Sequence, residues 1–124
     1  MLASEIVVEL PPYFVWAYFT QPDNWHQWSR LSLSTAHWEV GGRLRFEKGM
    51  TSTVEAIKEG SFVTFADDWS EETWTFEPTR DGHTLVRVTE KPKAMNYTDR
   101  GAAALEKTRK VLEKFKAAAE HDDE

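Results

Sequence analysis

The stretch "ETWTFEPTRDGHTLVRVTE" (residues 72–90) alternates large apolar side chains with polar ones on both sides of a central turn signal, "RDG". Strict alternation is typical of half-buried strands, because successive side chains of a strand point to opposite faces. The stretch therefore predicts two strands of one antiparallel hairpin. The face that carries the aromatic side chains is the predicted interior.

The register of this hairpin follows from its loop. With "PTRDGH" (78–83) as the loop, all inner-face residues share one parity. The predicted pairs are Phe76 with Val86, Trp74 with Val88 and Glu72 with Glu90. Two glutamates are thus expected to point to the same side as the aromatic rings.

Five further runs have the composition of strands: "SEIVVEL" (4–10), "AHWEV" (36–40), "RLRFEKG" (43–49), "TSTVEAIKEG" (51–60) and "SFVTFADDW" (61–69). Counting across their turns places Val54 beside Phe65, Phe65 beside Trp74, and Asp67 beside Glu72. The register at the Gly41–Gly42 turn is ambiguous, so the direction of Trp38 stays open.

Two short helices are predicted between the first strand and the rest of the sheet. Pro12 suits the first position of a helix in which Val15 and Phe19 share one face. In "PDNWHQW" (22–28), Trp25 and Trp28 lie one turn apart. This spacing favours a helix that plugs one end of the sheet, and the alternative is a wall of a ligand pocket.

A long amphipathic helix is predicted from about Thr98 to about Ala118. Its apolar stripe recurs every three to four residues and contains Leu105, Thr108, Leu112 and Phe115. Charged residues occupy the other face, which we interpret as solvated. The whole order predicts an α+β fold, with a curved antiparallel sheet of about six to seven strands gripped by this helix.

Composition narrows the function classes. The 124 residues suit a single domain, 1–124, and the net charge of −6 argues against nucleic acid as a partner. The chain has no cysteine, no signal-peptide pattern and no stretch long enough for a membrane span. We therefore expect a cytoplasmic protein. His26 lacks convergent partners, so no metal site is predicted.

The sequence resembles the START/polyketide-cyclase-like superfamily (SRPBCC, the helix-grip or birch-pollen-allergen fold). Within it, the chain is most similar to the branch named after the activator of the heat-shock-protein-90 ATPase. The resemblance is carried by "PPYFVWAYFTQPDNWHQW" (11–28), "WEVGGRLRF" (38–46), residues 72–90 and the final helix. It implies a central apolar cavity and no obligatory cofactor. Asp67 departs from the aromatic residue usual in this branch.

The inner face supplies the candidate ligand-binding residues. They combine an apolar zone, a carboxylate row and the stripe of the last helix: Val54, Phe65, Asp67, Glu72, Trp74, Phe76, Val88, Glu90, Leu105, Thr108 and Leu112. The expected ligand is a small apolar or aromatic molecule. A chaperone is the alternative partner that the family name implies.

Glu72 and Glu90 are the only candidates for catalysis, and three interpretations stay open. The pair forms a hydrated rim, orients a polar group of a ligand, or acts as a general acid and base. Like charges placed opposite each other repel, so at least one carboxyl is expected to have a pKa above the ordinary glutamate value of about 4.3.

Overall fold

The computed structural model describes the backbone of residues 2–92 and 101–122, and the side chains of residues 3–92 and 106–122. Within these ranges the chain forms seven strands, two α-helices and two short 3-10 helices. In chain order they are β1 (Leu2–Val8), α1 (Pro12–Thr20), a 3-10 helix (Pro22–Gln27), β2 (Leu33–Ala36), β3 (Arg43–Phe46), a 3-10 turn (Glu47–Gly49), β4 (Thr51–Lys58), β5 (Phe62–Ala66), β6 (Ser70–Pro78), β7 (Thr84–Pro92) and α2 (Gly101–Asp122).

The strands form one antiparallel sheet in the order β1-β7-β6-β5-β4-β3-β2. The first strand therefore lies beside the last one, and every other strand lies beside its neighbour in the chain. This is the predicted α+β helix-grip architecture. No helix of the described chain is long and apolar enough to cross a membrane.

The register of the β6–β7 hairpin is the predicted one. Phe76 pairs with Val86, Trp74 with Val88 and Glu72 with Glu90. The pairing of Val54 with Phe65 between β4 and β5 is also confirmed. Trp74, Phe76, Val86 and Val88 are at most 2% exposed, so the aromatic face is the interior.

The predicted register between β5 and β6 is wrong by two residues. Phe65 pairs with Glu72 instead of Trp74, and Trp74 pairs with Val63. The cause is a tighter turn, in which Asp67 Oδ1 accepts hydrogen bonds from the backbone N–H groups of Trp69 (2.8 Å) and Ser70 (2.9 Å). Because the shift is an even number, every side chain keeps its predicted face.

The segment 37–42 is a turn and not the strand that "AHWEV" predicted. It is closed by hydrogen bonds from His37 N to Arg43 O and from Gly42 N to Glu39 O. A Cβ atom at Gly42 would overlap the carbonyl oxygen of His37, so only glycine fits there. The turn directs Trp38 inward, where its Nε1–H donates to Thr20 O (2.8 Å).

Phe19 of α1 is the centre of the core and is fully buried. Its ring lies between 4.8 and 6.1 Å, centroid to centroid, from the rings of Trp25, Trp28, Trp38, Trp74, Phe76 and Phe115. These six residues come from α2, from the Pro22–Gln27 3-10 helix and the residue that follows it, from the turn before β3 and from the sheet. One ring thus connects all layers of the fold.

Helix α2 buries the predicted stripe at Leu112 and Phe115, which are 1% and 0% exposed. Its predicted start at Thr98 and the side chain of Leu105 lie outside the described residues. The helix ends at Asp122, four residues later than predicted. The last turn persists because Ala119 is buried and Glu120 Oε2 accepts from Lys116 Nζ (2.6 Å) and Glu9 N (2.8 Å).

Truncation of Leu112 to Ala should lower the free energy of unfolding by about 2–4 kcal/mol, because the side chain is fully buried and would leave a cavity. Chemical denaturation monitored by circular dichroism measures the change. Lys114→Ala, on the exposed face of the same helix, is the control. A decrease in the free energy of unfolding of less than about 0.5 kcal/mol for Leu112→Ala would contradict the close packing of α2 against the sheet.

Candidate functional site

A cavity of about 660 Å³ separates one end of the sheet from α2 and from the segment that follows the Pro22–Gln27 3-10 helix. Its walls come from six parts of the chain. The lining residues are Trp25, Trp28, Ser29, Arg30, Leu31, Phe46, Met50, Thr51, Ser52, Phe65, Asp67, Glu72, Trp74, Val88, Glu90, Lys107, Thr108 and Val111.

Trp25 and Trp28 are both a plug and a cavity wall. Each is 3% exposed, and their ring centroids are 4.7 Å apart. Trp25 Nε1–H donates to Phe19 O (2.6 Å), which fixes the 3-10 helix against α1. The plug interpretation is therefore confirmed, and the same two rings also face the cavity.

Three carboxylates line the same cavity, and we call them the carboxylate row: Asp67, Glu72 and Glu90. The Nε1–H of Trp74, a residue that is 1% exposed, donates to Glu72 Oε1 at 2.7 Å. Because a buried indole N–H needs an acceptor, this hydrogen bond fixes the carboxyl at the cavity wall. Glu90 lies opposite on β7, and Asp67 lies at the β5–β6 turn.

The surroundings of the carboxylate row raise the pKa of two of its members, Glu72 and Glu90. Burial raises the pKa of Glu72 to about 7, the Trp74 N–H opposes this shift, and the charges of Glu90 and Asp67 add to it. Burial, together with the charge of Asp67, also raises the pKa of Glu90. The row therefore carries at least one carboxyl that exchanges its proton close to neutral pH.

Most of the predicted site residues reach the cavity. Phe65, Asp67, Glu72, Trp74, Val88, Glu90 and Thr108 line it, together with Ser52 from the predicted polar row. Val54, Phe76 and Leu112 do not: they lie in the closed core. Phe76 is covered by the rings of Trp16 (5.4 Å) and Phe19 (5.2 Å), so α1 fills the end of the sheet where it lies.

Several lining residues were not predicted: Ser29, Arg30, Leu31, Phe46, Met50, Thr51, Lys107 and Val111. Val111 follows Thr108 by three positions, and this helical spacing could have identified it. Arg30 and Met50 lie in connecting segments without a periodic pattern. Their position depends on where the connections cross the sheet end.

No group of three His, Cys, Asp or Glu side chains in the described part of the chain is arranged to hold a metal ion. His26 is exposed on the 3-10 helix. The carboxylate row is the strongest charged feature of the cavity, and its chemistry is that of hydrogen bonding, charge pairing and proton exchange.

The family model described as "Activator of Hsp90 ATPase homolog 1-like protein" matches residues 9–120 of the sequence. The chain belongs to this family. The match includes α1, the whole of β2–β7 and nearly all of α2, so the family assignment covers every wall of the cavity. A comparison with curated proteins found no match.

Solved structures share the fold of this chain at low sequence identity. Protein SSP2350 from Staphylococcus saprophyticus has a TM-score of 0.80 and 20% identity over 98% of this chain and 92% of its own. The Aha1 dimer from Colwellia psychrerythraea has 0.75 and 20% over 95% and 94%. DynU16, a protein in the dynemicin biosynthetic locus, has 0.80 and 16% over 96% and 46%.

Glu72→Gln should stabilise the protein at high pH. Because the folded-state pKa is raised from 4.5 to about 7, ionisation of Glu72 destabilises the fold as the pH rises through this window. At pH 8 the free energy of unfolding should increase by about 1–3 kcal/mol, since Gln still accepts from Trp74 without a charge. At pH 4 the two proteins should differ little.

Denaturation curves at pH 4, 6 and 8 measure this difference. Glu71→Gln, at the adjacent position on the opposite face of β6, is the matched control. Glu72→Leu should destabilise the protein at all three values, because the indole N–H of Trp74 then has no acceptor. If Glu72→Gln increased the free energy of unfolding equally at pH 4 and pH 8, the raised pKa of Glu72 would be contradicted.

Proposed function

We propose that the protein binds a small, largely apolar ligand in the cavity between the sheet and α2. The observation that carries this proposal is the cavity itself, because it interrupts an otherwise closely packed aromatic core. Its volume of about 660 Å³ lies within the range typical of small-molecule sites. Five aromatic side chains contribute to its walls: Trp25, Trp28, Phe46, Phe65 and Trp74.

The carboxylate row supplies the polar end of this site. Glu72 is half-buried and is held by a hydrogen bond from Trp74, an arrangement that favours an orienting role over a freely hydrated rim. A carboxyl with a pKa of about 7 also suits proton transfer at neutral pH. Acid–base chemistry on a polyketide-like substrate is therefore the enzymatic form of this proposal, with Glu72 and Glu90 as its residues.

A chaperone-linked role is the second candidate, and family membership favours it. The large apolar side chain of Trp69, at the β5–β6 turn, is 72% exposed. Exposed aromatic residues of this kind are typical of contact surfaces. In either role we place the protein in the cytoplasm, since a chain without cysteine has no need of an oxidising compartment.

Nile red, an uncharged apolar fluorophore, should bind with one-to-one stoichiometry and increase its emission on leaving water. Thr108→Trp places a large ring in the cavity and should weaken this binding at least tenfold. Lys110→Trp, on the exposed face of the same helix, is the matched control and should bind normally. Fluorescence titration and circular dichroism of each variant provide the measurements.

Equal binding by the wild type and Thr108→Trp would contradict a ligand site in the cavity.

Amide NMR shifts on adding Hsp90 test the second candidate, the chaperone-linked role. Saturable shifts around Trp69 that are lost in Trp69→Ala, without any effect of cavity variants, would support the chaperone-linked role instead.

A further inference from the structure

The carboxylate row and the aromatic walls face the same cavity, and together they define a chemical class of ligand. We propose that the cavity selects cationic ligands, in which a protonated amine is carried on an aromatic or apolar body. The amine lies between Glu72 and Glu90, and the body packs on the tryptophan rings. This inference rests on the ligand-binding function proposed above and specifies what that site recognises.

The geometry of β6 and β7 allows one ammonium group to contact both glutamates. Glu72 and Glu90 are direct partners across the two strands, so their Cβ atoms are about 4.5–5.5 Å apart. Glu72 Oε1 already accepts from Trp74, which orients the carboxyl before any ligand binds. An ammonium has three donors, enough for a shared position between two carboxylates.

The row has no cationic partner among the described side chains. The ion pairs in that part of the chain are those of Arg109 with Glu106 and Glu113, and of Lys116 with Glu120. All of them lie on the surface of α2. A cationic ligand would therefore meet negative charge that the described protein groups leave uncompensated, in surroundings less polar than water.

The aromatic walls favour the same class. Trp25, Trp28 and Trp74 all line the cavity, and the face of an indole ring attracts a nearby cation. A cation that packs against these rings is therefore attracted by the walls as well as by the carboxylates.

Two cations also line the cavity and argue for an anion. Arg30 follows the 3-10 helix and Lys107 lies on α2, and both are exposed. Exposed charges are screened by water and salt, whereas the half-buried Glu72, which is bonded to the buried Trp74, is screened less. The three carboxylates of Asp67, Glu72 and Glu90 outnumber these cations and are all less exposed than they are, so this end of the cavity favours a cation.

Binding of an amine should be coupled to loss of a proton from the row. Burial and the neighbouring charges of Glu90 and Asp67 raise the pKa of Glu72 to about 7, and Arg30 and Lys107 are the cations that face the cavity. Below this pH the carboxyl holds a proton that the amine must displace. A primary amine stays charged throughout, so affinity should increase as the pH rises from 5.5 to 8.

Three indole compounds of similar size provide the test: tryptamine as the cation, tryptophol as the uncharged alcohol and indole-3-propionate as the anion. Isothermal titration calorimetry at pH 8 and low salt should give an affinity for tryptamine at least tenfold above that for tryptophol. The anion should bind most weakly. Glu72→Gln and Glu90→Gln should each reduce the preference for tryptamine over tryptophol at least fivefold, and Glu71→Gln should leave it unchanged.

The outcomes separate this inference from the function on which it rests. If Nile red binds in a manner that Thr108→Trp abolishes, but tryptophol or indole-3-propionate binds as tightly as tryptamine, the cavity is a ligand site without cation selectivity and the inference is wrong. If neither Nile red nor any indole binds, the proposed function fails as well. A tryptamine preference that is unchanged in both Gln variants would place the cation elsewhere and also overturn the inference. Circular dichroism confirms that each variant is folded.

Discussion

The hydrogen bond from the Trp74 indole to Glu72 joins the core of this protein to its cavity. Trp74 is almost completely buried, and its ring contacts Phe19 and Phe115, so it cannot move without disturbing both helices. Its N–H requires an acceptor, and Glu72 provides one from the same face of the same strand. The core thus determines where the carboxyl lies, and the carboxyl determines the character of the cavity.

The two ends of the sheet are used differently. At one end, the rings of Trp16, Phe19 and Phe76 pack against one another between α1 and the strands. At the other end, the side chains of Trp28 and Val111 border open space. In α2, Phe115 and Ala119 are buried in the packed core, whereas Lys107 and Thr108 line the cavity. The packed end thus positions the strands and the helix that form the walls of the cavity at the other end.

The carboxylate row lowers stability at neutral pH, since burial and mutual repulsion both oppose its ionisation. Proteins seldom retain ionisable groups at such positions without a cationic partner, because a neutral polar side chain of the same shape would keep the hydrogen bond without the cost of the charge. A site that gives up stability in this way is typical of functional positions. The family match over residues 9–120 includes all three residues of the row.

The sequence by itself determined the strand alternation, the β6–β7 register, the inward direction of Glu72 and Glu90, and the buried stripe of α2, because each depends on a local period of two or about 3.6 residues. Only the tertiary structure decided the β5–β6 register, since the Asp67 side chain accepts two backbone hydrogen bonds that tighten that turn. It also decided the direction of Trp38 and the separation of cavity residues from core residues. Val54 and Glu72 share the inner face of the sheet, yet one is packed and the other borders open space, because the helices and connections that cover each position come from distant parts of the chain.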